Sequence, residues 1–206
     1  MKKVRDDLYL GDIGDALLFL SGTKAGVTHV LSVLPLCPNH ESKDFVPYGP
    51  LSDANAFFRV SVELQNKCDF SGLPIRKVVP LEDSADENLL ERLEECLEFI
   101  DRGVKEGIVL VHCGGGFSRS PSIMIAYLMW KEKLSFADAL ASLKKSSPSV
   151  DPNPGFVTQL KAFETNGFKV PKKTINKKEN GKGTAKGKWV TCKICKKVVS
   201  IQEFQR

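Results

Sequence analysis

No stretch of this chain reaches the ~18 consecutive apolar residues that a membrane-crossing helix needs, so no transmembrane span is expected. The opening residues, MKKVRDDLYLGD, are charged and lack the apolar core of a secretory signal. Without such a signal, the scattered cysteines at positions 37, 68, 96, 113, 192 and 195 fit a reducing compartment better than a disulfide framework. The expected location is the cytoplasm, the nucleus or both. Histidine is scarce: His29, His40 and His112 are the only three. Internal repeats are missing, which sets aside solenoids and propellers. The glycine run at 114–116 is followed by no lysine, which excludes a Walker loop, and it lacks the G-x-G-x-x-G spacing of a dinucleotide site.

What is present is enough for one core. A chain of 206 residues with 42% hydrophobic content can bury a single sizeable interior, with a small appendage. The net charge of +5 hides an asymmetry. Residues 171–206 hold 11 lysines and arginines against 2 acidic residues, whereas residues 1–170 hold 19 against 23. A mildly acidic body therefore carries a basic tail, and the two need separate readings.

Hydrophobic patterning organises the body. Leu8 and Leu10, with Val4, predict a short strand, and GVTHVLSVLP (26–35) reads as a β-branched strand ended by Pro35. Residues 36–73 are dotted with Pro and Gly, and NAFFRVSVEL within them is a strand candidate. PIRKVVPL (74–81) is another strand, followed by the acidic loop EDSADEN. Leu89, Leu90, Leu93, Cys96, Leu97 and Ile100 then fall at helical spacing, with Gly103 as the expected stop. IVLVH is a short apolar strand, and Pro121 suits the first turn of a helix through SIMIAYLMWKEK. Ser135 is placed to cap a further helix to Leu143, and NPGFVTQLKAFE predicts the last. Strands alternating with helices imply an α/β body whose central, mainly parallel sheet is flanked by helices.

The chemistry concentrates between the strand IVLVH and the helix after it. Successive N–H groups of Gly114, Gly115, Gly116, Phe117, Ser118 and Arg119 can curl into an anion-binding nest at a helix N-terminus. The three glycines permit the backbone angles that such a curl demands. Arg119 adds a planar, permanently charged fork that matches two phosphate oxygens. Cys113 sits at the base, where the same donors favour a nucleophilic thiolate. Nucleophile, anion cradle and cation share seven residues. A buried cysteine beside a flexible turn is the bland alternative, yet three glycines cost conformational entropy that such a turn does not explain.

The sequence HCGGGFSRS resembles the H-C-x5-R-S signature of cysteine-dependent protein tyrosine phosphatases, and the continuation SIMIAYLM resembles their dual-specificity branch. LYLGDIGDALL with GVTHVLSV is similar to that branch's N-terminal strand and helix, and SPSVDPNPGFVTQLKAFE to its closing helical segment. The likeness spans roughly residues 4–165. It implies a protein tyrosine phosphatase-like fold in residues 1–170 and hydrolysis of phosphotyrosine and phosphoserine or phosphothreonine through a phosphocysteine. Two departures stand out: GGG, where larger residues often fill the first two variable positions, and the long segment 36–73.

Expulsion of the leaving oxygen needs a general acid. Glu82, Asp83, Asp86 and Glu87 are available, and spacing alone does not choose between Asp83 and Asp86. The resemblance selects Asp83, about 30 residues before the nucleophile. The competing reading of that residue is a carboxylate favoured by a helix dipole. The resemblance also assigns Ser120 to assist departure of the Cys113 thiolate, against a simple helix cap. Ser118 reads as a loop residue. His112 is expected to orient the loop by hydrogen bonds; a Cys-His dyad is the alternative, although it would need no phosphate cradle. Cys37, Cys68 and Cys96 are given no role, Cys96 lying on the apolar stripe of a helix. No cofactor or metal is expected, because Arg119 and the N–H groups supply the charge stabilisation.

Residues 171–188, PKKTINKKENGKGTAKGK, read as a solvated or disordered linker. In 189–206, Cys192 and Cys195 form half of a tetrahedral zinc site, with no further Cys or His after them to complete it. This ending resembles the first knuckle of the C-terminal zinc-binding tail of some atypical dual-specificity phosphatases, cut short. A thioredoxin-like CxxC lacks its βαβ context here. The expected partners are a phosphorylated protein substrate and, for the basic tail, a nucleic acid or acidic partner. Alternatives are the same chemistry on a phosphoinositide, phosphoglucan or RNA 5′-phosphate, and an adaptor that binds RNA or ribonucleoprotein through its tail. A monomer is expected.

Overall fold

The structure is a computed structural model describing residues 1–20, 22, 24–35 and 74–170, together with the backbone of 189–191 and 198–200. The strand expected within 36–73, the linker 171–188, and Cys37, Cys68, Cys192 and Cys195 lie outside the described residues.

Five strands form one sheet: β1 (Lys2–Arg5), β2 (Leu8–Gly11), β3 (His29–Leu34), β4 (Ile75–Pro80) and β5 (Val109–His112), in the order β1-β2-β5-β3-β4. Only β1 and β2 are antiparallel; the other pairs are parallel. The single strand expected around Val4–Leu10 is thus a hairpin, because Asp6 and Asp7 turn the chain. β5 occupies the centre and is buried at every position, as an apolar run in a parallel sheet should be.

Strand alternation divides the interior. On one face, Val30 and Leu110 pack with Val27 against Ala16, Phe19 and Leu20 of α1 (Ile13–Leu20). On the other, Leu31, Val33, Val109 and Val111 meet the larger core formed with α2 (Leu90–Glu106), α3 (Arg119–Glu132), α4 (Phe136–Ser146) and α5 (Pro154–Thr165). Residues 120–129 of α3 are all buried, so this helix has no polar face and forms the body's axis.

The starts of α1, α4 and α5 follow capping chemistry. Asp12 and Asp15 exchange side-chain-to-backbone hydrogen bonds at the start of α1. Ser135 accepts from the Asp138 N–H, and Asn153 accepts from the Phe156 N–H with Pro154 at the first helical position. Gly103 is not a stop: α2 runs on to Glu106. It is a point of close approach instead, since a Cβ there would lie 2.6 Å from Val109 Cγ2 and 3.1 Å from the His29 ring.

The backbone of β6 (Trp189–Thr191) pairs antiparallel with β7 (Val198–Ser200). Among the described residues, no helix is long and apolar enough to cross a membrane.

Candidate active site

β5 ends at His112 and α3 begins at Arg119, so residues 113–118 form the connecting loop. It curls around the sulfur of Cys113, which is 2% exposed. The Gly116 N–H points back at Sγ over 3.3 Å, and the Ser120 hydroxyl donates to Sγ over 3.1 Å. Ser120 lies inside the first turn of α3 and caps nothing; its hydroxyl is committed to sulfur.

The outward carbonyls of the loop are anchored by neighbours. The Cys113 carbonyl accepts from His112 Nδ1 at 3.1 Å, that of Gly114 from the Ile13 N–H at 3.0 Å, and that of Phe117 from the Asp151 N–H at 2.8 Å. In a trans peptide the following N–H points the opposite way. Tethering those carbonyls outward therefore turns the N–H groups of Gly114, Gly115 and Ser118 inward, the arrangement of an anion nest.

The three glycines differ in purpose. Only Gly116 has left-handed backbone (φ 74°), and a Cβ there would press on the Gly11 carbonyl oxygen at 3.0 Å. Gly115 instead leaves room for the Phe117 ring, 2.7 Å from where its Cβ would stand, and Gly114 faces an Arg119 Nη2 at 3.2 Å. The expectation that all three supply unusual angles thus holds at one position. Phe117 itself is 53% exposed on the rim.

Arg119 is mostly enclosed. One Nη donates to the Val33 carbonyl at a long 3.5 Å, and Nε lies 3.7 Å from the Asp83 carboxylate without a hydrogen bond. That buried Nε–H has no hydrogen-bond partner among the described residues. Leaving such a donor unpaired is costly unless a ligand satisfies it.

Asp83, on the loop after β4, is docked onto the same site. One carboxylate oxygen accepts from Ser118 Oγ at 2.6 Å and from Asn153 Nδ2 at 2.9 Å, while the Asn153 N–H donates to Ser118 Oγ at 3.1 Å. Ser118 is therefore more than a loop residue: it ties the acidic loop to the cysteine loop. Asn153 went unmarked in the sequence, where Asn-Pro signals only a helix start. Among the described residues, the Asp86 side chain makes no hydrogen bond or ion pair to the loop; its N–H donates to Ser84. Gly155 lets α5 abut this segment, for a Cβ there would fall 2.0 Å from the Ala85 carbonyl oxygen.

His112 is fully buried and kept neutral, its pKa pushed down to about 4 chiefly by burial, with Arg76 and Arg119 adding to the effect. Its Nδ1 engages the Cys113 carbonyl, as expected of a loop-orienting residue. No imidazole–thiol hydrogen bond of a Cys-His dyad is formed. Cys96 is buried in the core away from this chemistry, and burial raises its thiol far above the ordinary range. A recess of about 150 Å³ flanks Gly115–Phe117. A larger hollow of about 500 Å³ lies between α2, Trp130 and Phe168–Val170, and no residue of the cysteine loop lines it.

Residues 8–166 match the family described as "Dual specificity phosphatase, catalytic domain". The mouse dual specificity protein phosphatase 19 is 41% identical over 101 residues, covering 46% of this chain and 46% of that protein. The human dual specificity protein phosphatase 9 is 32% identical over 163 residues, covering 79% of this chain and 35% of its own length. The crystal structure of human DUSP28 superimposes with a TM-score of 0.60 at 27% identity, over 82% of this chain and 98% of that one. The fold is that of protein tyrosine phosphatase-like proteins. Within that class, the chain belongs to the dual specificity phosphatase catalytic-domain family. It spans less than half the length of these two curated relatives.

Proposed function

We propose that this protein hydrolyses phosphate monoesters on phosphotyrosine and on phosphoserine or phosphothreonine of protein substrates, through a phosphocysteine. The Cys113 thiolate attacks phosphorus; the S–P bond forms as the bond to the leaving oxygen breaks, and the Asp83 carboxylic acid gives that oxygen its proton. Water then attacks the phosphocysteine, losing its proton to the Asp83 carboxylate as the S–P bond breaks. Inorganic phosphate leaves and the thiolate is restored, with the Ser120 hydroxyl bonded to it. Arg119 and the inward N–H groups stabilise charge on the non-bridging oxygens in both steps.

The observation that carries this reading is the pairing of a sulfur held by Gly116 N–H and Ser120 O–H with a buried Arg119 Nε–H in the same curl, which has no hydrogen-bond partner among the described residues. The location that goes with this reading is a reducing compartment, cytoplasm or nucleus, because the thiolate nucleophile must stay reduced.

Turnover of an aryl phosphate by the wild type and by Cys113→Ser tests the nucleophile: the variant should be inactive, and comparable rates would remove it. Asp83→Ala should slow an alkyl phosphate by roughly 10²–10⁴-fold and an activated aryl phosphate far less. Equal slowing would assign the acid elsewhere. A panel of phosphotyrosyl and phosphothreonyl peptides, a phosphoinositide, a phosphoglucan and an RNA 5′-phosphate decides the substrate class; preference for any of the last three overturns the protein-substrate assignment.

A further inference from the structure

Behind the cysteine loop, on the α1 face of the sheet, three polar side chains are joined through the interior. Ser32 stands opposite His112 in the register of β3 and β5. Arg76 stands opposite Val30, two residues from Ser32, and so shares its face. Arg76 Nε donates to Ser32 Oγ over 3.1 Å, Ser32 Oγ meets His112 Nε2 at 2.7 Å, and His112 Nδ1 meets the Cys113 carbonyl at 3.1 Å. Ser32 and His112 are fully buried.

Both ends of this chain have a fixed polarity. A carbonyl oxygen can only accept, so Nδ1 of His112 must carry a proton. A guanidinium can only donate, so Ser32 Oγ must accept from Arg76. The neutral ring has one N–H, which leaves Nε2 as a bare acceptor, and the only hydroxyl proton of Ser32 goes there. Every proton in the chain then has one place.

Resting on the phosphatase reading above, we propose that Arg76 and Ser32 are positioning residues: they hold His112 as its Nδ1–H tautomer, and through it fix the Cys113 carbonyl that sets the base of the loop. The consequence reaches the anion nest. The Cys113 carbonyl and the Gly114 N–H are opposite ends of one peptide plane, so securing the first aims the second. A ring that turned to its Nε2–H tautomer would present a lone pair to the Cys113 oxygen, and the plane would swing away. The sheet's parallel register, joining β4, β3 and β5, thus reaches the nucleophile through hydrogen bonds alone.

The test reads the tautomer directly, by long-range proton–nitrogen correlation of the full chain labelled with ¹⁵N-histidine. Only three histidines must be told apart. At pH 7, wild-type His112 should show a protonated Nδ1 and a bare Nε2. Ser32→Ala and Arg76→Met should shift this pattern toward the other tautomer and lower kcat/KM by about 10–100-fold, the size expected for sub-ångström to ~1 Å misplacement. Ser32→Thr, which keeps the hydroxyl, should restore both. A wild-type His112 protonated at Nε2 would overturn the proposal even if neither variant folded. So would an Arg76→Met protein that keeps the Nδ1–H tautomer, whatever its activity. The tautomer is read without turnover, so an enzyme inactive on every phosphate would sink the phosphatase reading and leave this measurement to be judged alone.

Discussion

Replacing Gly155 by alanine adds one methyl where the structure has no room for it. The new Cβ would lie 2.0 Å from the Ala85 carbonyl oxygen, 2.5 Å from its Cα and 2.6 Å from its carbonyl carbon. All three atoms are backbone, so no side chain can swing aside. Real Cβ contacts essentially never fall below 3.0 Å, and the acidic loop and the start of α5 must part by roughly 1 Å or more. Overpacking of this kind costs about 1–3 kcal/mol, which for a domain of this size lowers Tm by roughly 2–12 °C. The functional effect should be selective. Asn153, two residues earlier in the same helix start, holds the Asp83 carboxylate at 2.9 Å, so the displaced element is the one that presents the acid. A misplacement near 1 Å is worth up to about 10²-fold in rate. It should fall on an alkyl phosphate, which needs the proton, and largely spare an activated aryl phosphate. Differential scanning calorimetry and the ratio of kcat values on the two substrates are the measurements. A Gly155→Ala protein with unchanged Tm and unchanged ratio would refute both the tight docking of α5 on the Ala85 backbone and the reliance of Asp83 on it.

Acid should destabilise the protein through His112. Its pKa is about 4 in the fold against 6.5 in the unfolded chain, so between those values the unfolded state binds the extra proton and stability falls as pH falls. From pH 7 to 4.5 this contributes a loss of about 2 kcal/mol, measurable by urea denaturation and missing in His112→Gln; equal pH slopes for the two proteins would refute it. Ser120→Ala removes the hydroxyl that donates to Cys113 Sγ at 3.1 Å, a bond to an anion worth about 1.5–3 kcal/mol. Release of sulfur should slow by roughly 10–150-fold, seen as a burst of aryl alcohol followed by a slow steady state, and an unchanged kcat without a burst would remove Ser120 from the second half-reaction.

The central parallel strands were legible because each is a largely apolar run short enough to exclude a helix: HVLSVL and VLVH in the sheet lie within one to three residues of the segments expected from pattern. Boundaries failed where one residue type serves two purposes. Glycine is a helix stop only if the chain has no better use for a missing side chain, and Gly103 is used to bring α2 against Val109 and the His29 ring. The first strand was read whole because its two halves have the same alternation, and two aspartates are a weaker turn signal than Asn-Gly.

The same distinction separates what could be read of the site from what could not. Cys113, the glycines and Arg119 lie in one continuous loop, because a nucleophile beneath a phosphate, a backbone cradle and a charged fork are all met by consecutive residues. Composition and order alone therefore expose them. The docking of Asp83 joins Ser118, 35 residues away, and Asn153, 70 residues away. Arg76 lies 44 residues from Ser32, and Ser32 80 from His112. In a strand read alone, Ser32 is one small polar residue in an apolar run and Arg76 a charge near a strand start, and neither signals a buried contact. Only the sheet order shows that β3 sits between β4 and β5, with their polar side chains turned inward against the back of the loop. Residues that meet the substrate are thus confined to short motifs by the size of a phosphate. Residues that orient those motifs are constrained only by the register of strands, which one sequence does not spell out.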